Sequence, residues 1–337
     1  MRARIEDVAA AAGVSMKTVS RVLNAEAGVR QSTRERVLEV VQALNYRPDP
    51  SARRLAGNRS YLVALLYDNP SPNYLMEILS GVVEACEAQH YGMVMQPVSY
   101  RSPDFVASVD TLLTVSRLDG LILTPPLTDS AELLDRLDQH GVPFSSISPR
   151  ERDGRIGVTL DEHDAVCELV AHLVGLGHSR IAHVRGHPDH GAGEWRMAGY
   201  RSALRRAGLR YDPDLVMPGE FSFDSGLDAG RRLLQLRERP TAIFAANDDM
   251  AAGVMRAASE LGLKVPRDLS VVGFDDTPIS RQIFPALTTV QQPTREMGRT
   301  ATEQLLKAIR DRGAGRMVRM PYALQLRQST GPAPRVE

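Results

Sequence analysis

The sequence predicts an all-α helix-turn-helix head joined to an α/β body of two doubly wound parallel-sheet halves. Three observations carry this. The run from Ile5 to Asn24 is helical in its periodicity but broken at Gly13-Val14-Ser15. From Tyr61 the pattern changes to apolar strands alternating with helices, and after Asp161 that alternation starts again.

In the head, Val8, Ala9 and Ala12 are spaced to face Val19 and Val22, small side chains that let two helices cross closely. Gly13 supplies the turn, where a side chain would be penalised, and Ser15 is placed to cap the second helix. Met16, Lys17, Ser20 and Arg21 then fall on the unpacked face, with Lys17 and Arg21 one turn apart. Such a helix can reach base edges and phosphates in a major groove, although two helices alone could also be a hairpin with a solvated basic face. A third helix starts at Ser32-Thr33, with Glu35 near its start and Val37, Val40, Val41 and Leu44 at helical spacing. Residues 49–60 read as a linker bracketed by prolines and a glycine, yet they carry Arg53, Arg54 and Leu55.

The segment from Ile5 to Gly57 resembles the DNA-binding head and hinge of the LacI/GalR family of bacterial transcriptional repressors. The likeness rests on Asp7-Val8-Ala9, Ala12-Gly13-Val14-Ser15, Thr18-Val19-Ser20-Arg21-Val22-Leu23-Asn24, Thr33-Arg34-Glu35-Arg36-Val37, Leu44-Asn45-Tyr46-Arg47-Pro48 and Ala52 to Gly57, in the family's order. It implies DNA contacts from Ser15, Met16, Lys17, Thr18, Ser20, Arg21 and Asn24, from Tyr46, and from Ala52, Arg53 and Leu55 in a hinge that becomes helical in the minor groove when two subunits pair. Leu55 would be the apolar wedge that bends the duplex.

Length and charge agree with a small head on a larger body. A chain of 337 residues exceeds one domain of ~100–200 residues, and 43% hydrophobic residues suffice for a substantial core. Residues 1–60 hold eleven Lys and Arg against six Asp and Glu; the rest hold thirty against thirty-five, so the basic footprint is confined to the head. With no apolar leader and no run of ~20 apolar residues, the chain is expected to stay in the cytoplasm, off the membrane. Cys86 and Cys167, on helices expected at 73–90 and 161–177, read as buried reduced thiols, with no nearby His or Cys at ligand spacing. No metal and no cofactor are expected.

In the body, 62–67, 93–97, 120–124 and 143–147 read as buried strands separated by helices near 73–90, 103–117 and 129–140. The second series is helix 161–177, strand 180–184, helices 194–208 and 223–237, strand 241–245, helix 247–262 and strand 269–274. Ligands of such sheets bind at the carboxyl ends of the strands, here in the cleft between two halves.

The body resembles the family's periplasmic-binding-protein-like effector domain through Leu176-Gly177-His178, Arg180-Ile181-Ala182, Arg196-Met197-Ala198-Gly199-Tyr200, Thr241 to Asp248, Val271 to Asp276 and Leu287 to Val290. The resemblance implies a head over 1–48, a hinge over 49–60 and an effector and dimerisation domain over 61–330. Its first subdomain would take 61–160 and 293–320, its second 161–290 and 321–330. It also implies effector contacts from Arg196, Phe221, Asn247 and Asp275, with Asp68, Asn69 and Tyr74 on the other lip. Ser148 stands where many sugar-responsive relatives present an acid, which removes one expected hydroxyl partner and leaves the ligand's identity open, although Ser148 can still hydrogen-bond. Asp248 and Asp276 could instead only cap the helices after their strands.

The expected protein is a homodimer on a palindromic operator, most simply a repressor, controlled by a sugar or glycoside. A nucleobase or other small metabolite is the alternative effector. No leucine heptad follows Gln325 to Thr330, so no tetramerisation tail is expected. An exported sugar-binding protein would have no use for the basic head. An enzyme built on Asp248, Asp275 and His190 lacks a nucleophile, a phosphate loop or metal spacing, and His187-Pro188-Asp189-His190 reads as a Gly-rich loop with solvated histidine.

Overall fold

The structure, a computed structural model, describes residues 3–23, 28–46, 59–311, 313 and 315–334. It divides into two compact units, Met1–Tyr61 and Leu62–Glu337.

The first unit holds α1 (Ile5–Ala12), α2 (Met16–Leu23) and α3 (Gln31–Ala43). Val8, Ala9 and Ala12 of α1 bury against Val19 and Val22 of α2 and Val37 of α3. Gly13 ends α1 at φ 62°, a left-handed conformation that costs a side-chain-bearing residue about 1 kcal/mol or more. Ser15 Oγ accepts the Thr18 backbone N–H at 3.1 Å and so caps α2, and the Asp7 carboxylate accepts from Arg4 N at 2.8 Å at the head of α1. Two expectations shift. α3 begins at Gln31 without a side-chain cap, and Leu44, expected in the apolar stripe, lies past the helix end and is 39% exposed.

The second unit contains two six-stranded sheets. In chain order the elements are β1 (Leu62–Tyr67), α4 (Pro72–Ala88), β2 (Gly92–Pro97), α5 (Phe105–Ser116), β3 (Gly120–Leu123), α6 (Ala131–Gln139), β4 (Phe144–Ile147), β5 (Gly157–Thr159), α7 (Glu162–Gly175), β6 (Ile181–Val184), α8 (Gly191–Arg206), β7 (Val216–Met217), α9 (Phe223–Leu234), β8 (Ala242–Ala245), α10 (Asp248–Glu260), β9 (Ser270–Asp275), α11 (Ile279–Gln282), β10 (Thr288–Gln291), α12 (Thr294–Asp311), β11 (Met317–Arg319) and β12 (Ala323–Gln325). The first sheet runs β11-β5-β4-β3-β1-β2 and the second β12-β10-β9-β8-β6-β7. All pairings are parallel except β10–β12, which is antiparallel and departs from the expected all-parallel sheets.

The long apolar strands and amphipathic helices form where their periodicity places them. The pieces that sequence periodicity did not assign are β5, β7, β10, β11 and β12, two to four residues each and in part polar, together with α11 and α12. Such strands are defined by their neighbours rather than by their own pattern. α12 follows β10 of the second sheet but packs on α4 and on β3, β4 and β5 of the first, so the chain returns to the first lobe. Gly81 of α4 and Gly298 of α12 make that contact close: a Cβ on Gly81 would collide with the Arg295 carbonyl, and one on Gly298 with that of Ile78.

Candidate functional site: a reading helix and an interlobe cleft

On α2, Val19 and Val22 are buried while Met16 is 50% exposed and Lys17 exposed. Thr18, Ser20 and Arg21 are half-buried, and Tyr46 packs against the edge of the head core. One face of α2 thus holds the core and the other carries the side chains expected to meet DNA. Ser15 Oγ also lies 2.9 Å from Thr18 Oγ1, so both hydroxyls serve the cap. Asn24, Ala52, Arg53 and Leu55 lie outside the described residues.

In the second unit, the carboxyl ends of both sheets face one cavity of about 30 Å³. Asn69, Ser71, Tyr74, Pro125 and Ser148 line it from the first lobe; Glu162, His190, Ala192, Arg196, Phe221, Asn247, Asp275 and Gln292 line it from the second. That volume is far below the ~300 Å³ at the low end of small-molecule sites. Of the residues expected to contact effector, Asn69, Tyr74, Ser148, Arg196, Phe221, Asn247 and Asp275 come together here. Asp68 does not: its carboxylate accepts from Tyr100 N at 2.8 Å and fastens a loop instead.

Arg196 organises the cavity. It is 4% exposed, and its Nη2 lies 3.0 Å from Glu162 Oε1 and 3.5 Å from Asp275 Oδ1, while Nη1 donates to the Ala246 carbonyl. Its guanidinium stacks 3.8 Å from the centre of the Phe274 ring. Asp275 accepts from Gln292 Nε2 at 2.6 Å. Burial pushes the Asp275 carboxyl up to about 7; Arg196 pulls it back, while Asp249 and Glu162 add to the rise. Asn247 caps α10 by accepting from Met250 N at 2.9 Å and donates to the Phe221 carbonyl at 2.9 Å, fixing that aromatic in place. Ser148, Phe221 and Asp275 have φ of 50°, 57° and 113°. Three non-glycine residues in costly backbone conformations, about 1–3 kcal/mol each, therefore line one cavity.

Several residues that sequence reasoning passed over belong to this site. Glu162 is the nearer carboxylate to Arg196, and Ser71 and Asn73 donate across the cleft to the buried Asp249. Gln292 follows the unassigned β10, so no pattern marked it. His190 corrects the solvated-loop expectation: it is 3% exposed, its ring lies 5.2 Å from that of Phe221, and burial pushes its pKa down to about 3. Asp248 and Asp276 are structural, though not as caps. Asp248 accepts from Thr277 N at 2.8 Å and Thr289 Oγ1 at 2.6 Å, and Asp276 from Ser280 Oγ at 2.9 Å and Arg327 at 2.6 Å. The expectation that no histidine neighbours a cysteine is also corrected, since His163 Nδ1 is 4.0 Å from Cys167 Sγ, one helical turn away.

An exposed basic helix on a separate head, with a two-lobed body closing on a polar cleft, defines a DNA-binding regulator that answers to a small ligand. Residues 4–49 match the model of bacterial regulatory proteins of the lacI family, and residues 170–330 that of a periplasmic binding protein-like domain. The chain is 33% identical to catabolite control protein A of Priestia megaterium over 98% of this chain and all of that protein. It is 34% identical to the HTH-type transcriptional repressor PurR of Vibrio atlanticus over 92% and 93%. Among solved structures it resembles the lac repressor dimer bound to operator and the anti-inducer ONPF (TM-score 0.78, 32% identity, 98% of this chain and 100% of that one). It also resembles the transcriptional regulator CelR in complex with cellobiose (TM-score 0.74, 32% identity, 97% and 100%). The chain belongs to the lacI family. It is a ligand-responsive transcriptional repressor, and members of this family are DNA-binding regulators rather than enzymes. Among the described residues no helix is long and apolar enough to cross a membrane.

Proposed function

We propose that the protein is a homodimeric cytoplasmic repressor that holds a palindromic operator and is controlled by a sugar or glycoside bound between the lobes. One observation carries the ligand class. Ser148 Oγ, Arg196 Nε and Gln292 Oε1 are buried without a hydrogen-bond partner, and all three residues line the same cavity. Each such atom costs about 1–3 kcal/mol, which a hydroxyl-rich ligand recovers by donating to Ser148 and Gln292 and accepting from Arg196. The charge of Arg196 is already met by Glu162 and Asp275, which favours a neutral ligand. Phe221 already packs against His190 and Arg196, which favours edge contact over stacking of a flat base. The likeness to a regulator solved with cellobiose points the same way.

In this reading Asn69, Tyr74, Ser148, Arg196, Phe221, Asn247 and Asp275 hold effector. Met16, Lys17 and Arg21 read bases, and Leu55 wedges the central base step from a hinge helix formed with Ala52 and Arg53. Closure of the lobes alters the spacing of the two hinges; a coupling of ~1–3 kcal/mol then changes operator affinity 5–150-fold. Calorimetry of the purified protein against a panel of sugars, glycosides and purines tests the ligand, and gel shifts with and without the bound compound test the coupling. Binding of a sugar or glycoside that alters operator affinity is expected. Tight binding of a purine with no response to any sugar would overturn the ligand class.

A further inference from the structure

Outside the cleft, the first two turns of α7 set three kinds of metal ligand side by side. His163, Asp164 and Cys167 each offer one donor atom, and these atoms all lie within 4.8 Å of one another. His163 Nδ1 is 2.9 Å from Asp164 Oδ1 and 4.0 Å from Cys167 Sγ. Ligands held at about 2.0–2.3 Å around a tetrahedral zinc ion stand roughly 3.3–3.7 Å apart, so small side-chain rotations bring the three atoms onto one ion.

The surroundings are arranged for this. Nε2 of His163 lies 3.0 Å from Ser202 Oγ on α8, which occupies the second ring nitrogen and keeps Nδ1 turned toward Asp164 and Cys167. A hydrogen bond on the far nitrogen is the usual orienting device of a metal-binding histidine. A cavity of about 450 Å³ between α7 and α8 is lined by Asp164, Cys167 and Arg206, giving an ion a route to the buried thiol. Imidazole, thiolate and carboxylate together suit zinc and neighbouring transition metals rather than magnesium or calcium.

We propose that His163, Asp164 and Cys167 form a transition-metal site that takes Zn²⁺, with the remaining coordination supplied by water. As the metal–sulfur bond forms, the thiol proton passes to the solvent, so no oxidant or reductant is involved.

The test uses the full-length protein stripped by a chelator, with Co²⁺ as the optical probe and Zn²⁺ as competitor. About one equivalent of Co²⁺ should bring up a thiolate-to-cobalt charge-transfer band that Zn²⁺ abolishes. The band should vanish in Cys167→Ser and His163→Ala and persist in Cys86→Ser, with circular dichroism confirming the fold of each variant. Ser202→Ala, which touches only the outer nitrogen of the histidine, should weaken metal binding by about 10–100-fold. Should Cys167→Ser fail to fold, Asp164→Asn on the exposed side takes its place and should likewise weaken binding by at least about tenfold. No band at stoichiometric Co²⁺, a band that survives Cys167→Ser, or affinity unchanged in both Asp164→Asn and Ser202→Ala would overturn the site.

Discussion

At the scale of single residues, the buried charges of the cleft make the strongest predictions. Arg196 faces Glu162 and Asp275, all three side chains buried. Arg196→Ala should therefore remove the effector's influence on operator binding and also destabilise the body by about 3–5 kcal/mol, because carboxylates are left buried without their cation. Denaturant unfolding followed by the fluorescence of Trp195, the one tryptophan of the sequence, would measure the second effect. Asp275 predicts a pH dependence of definite sign. Its folded pKa is raised from 3.8 to about 7, so its contribution to stability is fully present below 3.8 and is lost as pH rises through 7. Asp275→Asn should accordingly gain on the wild type in melting temperature between pH 4 and 7 and hold a constant difference above that window. A difference flat across the window would show that burial does not raise this carboxyl. His190 works in the opposite sense: its pKa is depressed, so its contribution is present above 6.5 and lost as pH falls toward 3.

At the scale of elements, α2 and the α4–α12 pair are the informative cases. Lys17 stands exposed on the face of α2 opposite Val19 and Val22. Lys17→Ala should weaken operator binding by about 1–3 kcal/mol and relax the base preference at its position, leaving the head folded. Binding-site selection returning the wild-type sequence would remove α2 as the reader. Gly81 and Gly298 let α4 and α12 touch through their backbones. Gly81→Ala must push the helices apart, with an expected loss of about 1–3 kcal/mol in chemical unfolding.

At the scale of the whole body, closure is held by polar bonds that cross the cleft. Ser71 Oγ donates to Asp249 Oδ2 and Asn73 Nδ2 to Asp249 Oδ1 at 2.8 Å, while Arg101 of the first lobe meets Asp189 of the second at 3.4 Å. The buried carboxylate is the member of this set on which closure most depends. Asp249→Ala should lower the population of the closed form, and apparent effector affinity falls in proportion to that population. Calorimetry should show weaker effector binding, and gel shifts a changed operator affinity of the effector-free protein, because closure sets the hinge spacing; equal effector affinity in both proteins would show that the cross-cleft bonds do not hold closure.

The sequence by itself determined the head, the long strands and helices, and most of the cleft. A three-helix core, a glycine turn and a serine cap are local features written in adjacent residues; Asn69, Ser148 and Asn247 follow buried apolar strands whose ends can be located, and Asp275 ends one. Tertiary structure alone decided the rest. β10, β11 and β12 belong to sheets assembled from distant segments, and α12 packs on the sheet of the other lobe, so Gln292 had no local signal, and Glu162 and His190 became part of the cleft only when the second lobe buried them against Arg196 and Phe221. Asp68 lay one residue from a true lining position, yet the fold spent it on Tyr100 N. Strand ends are set by a local periodicity of two, whereas the pairing of a buried charge depends on contacts between residues far apart in the chain.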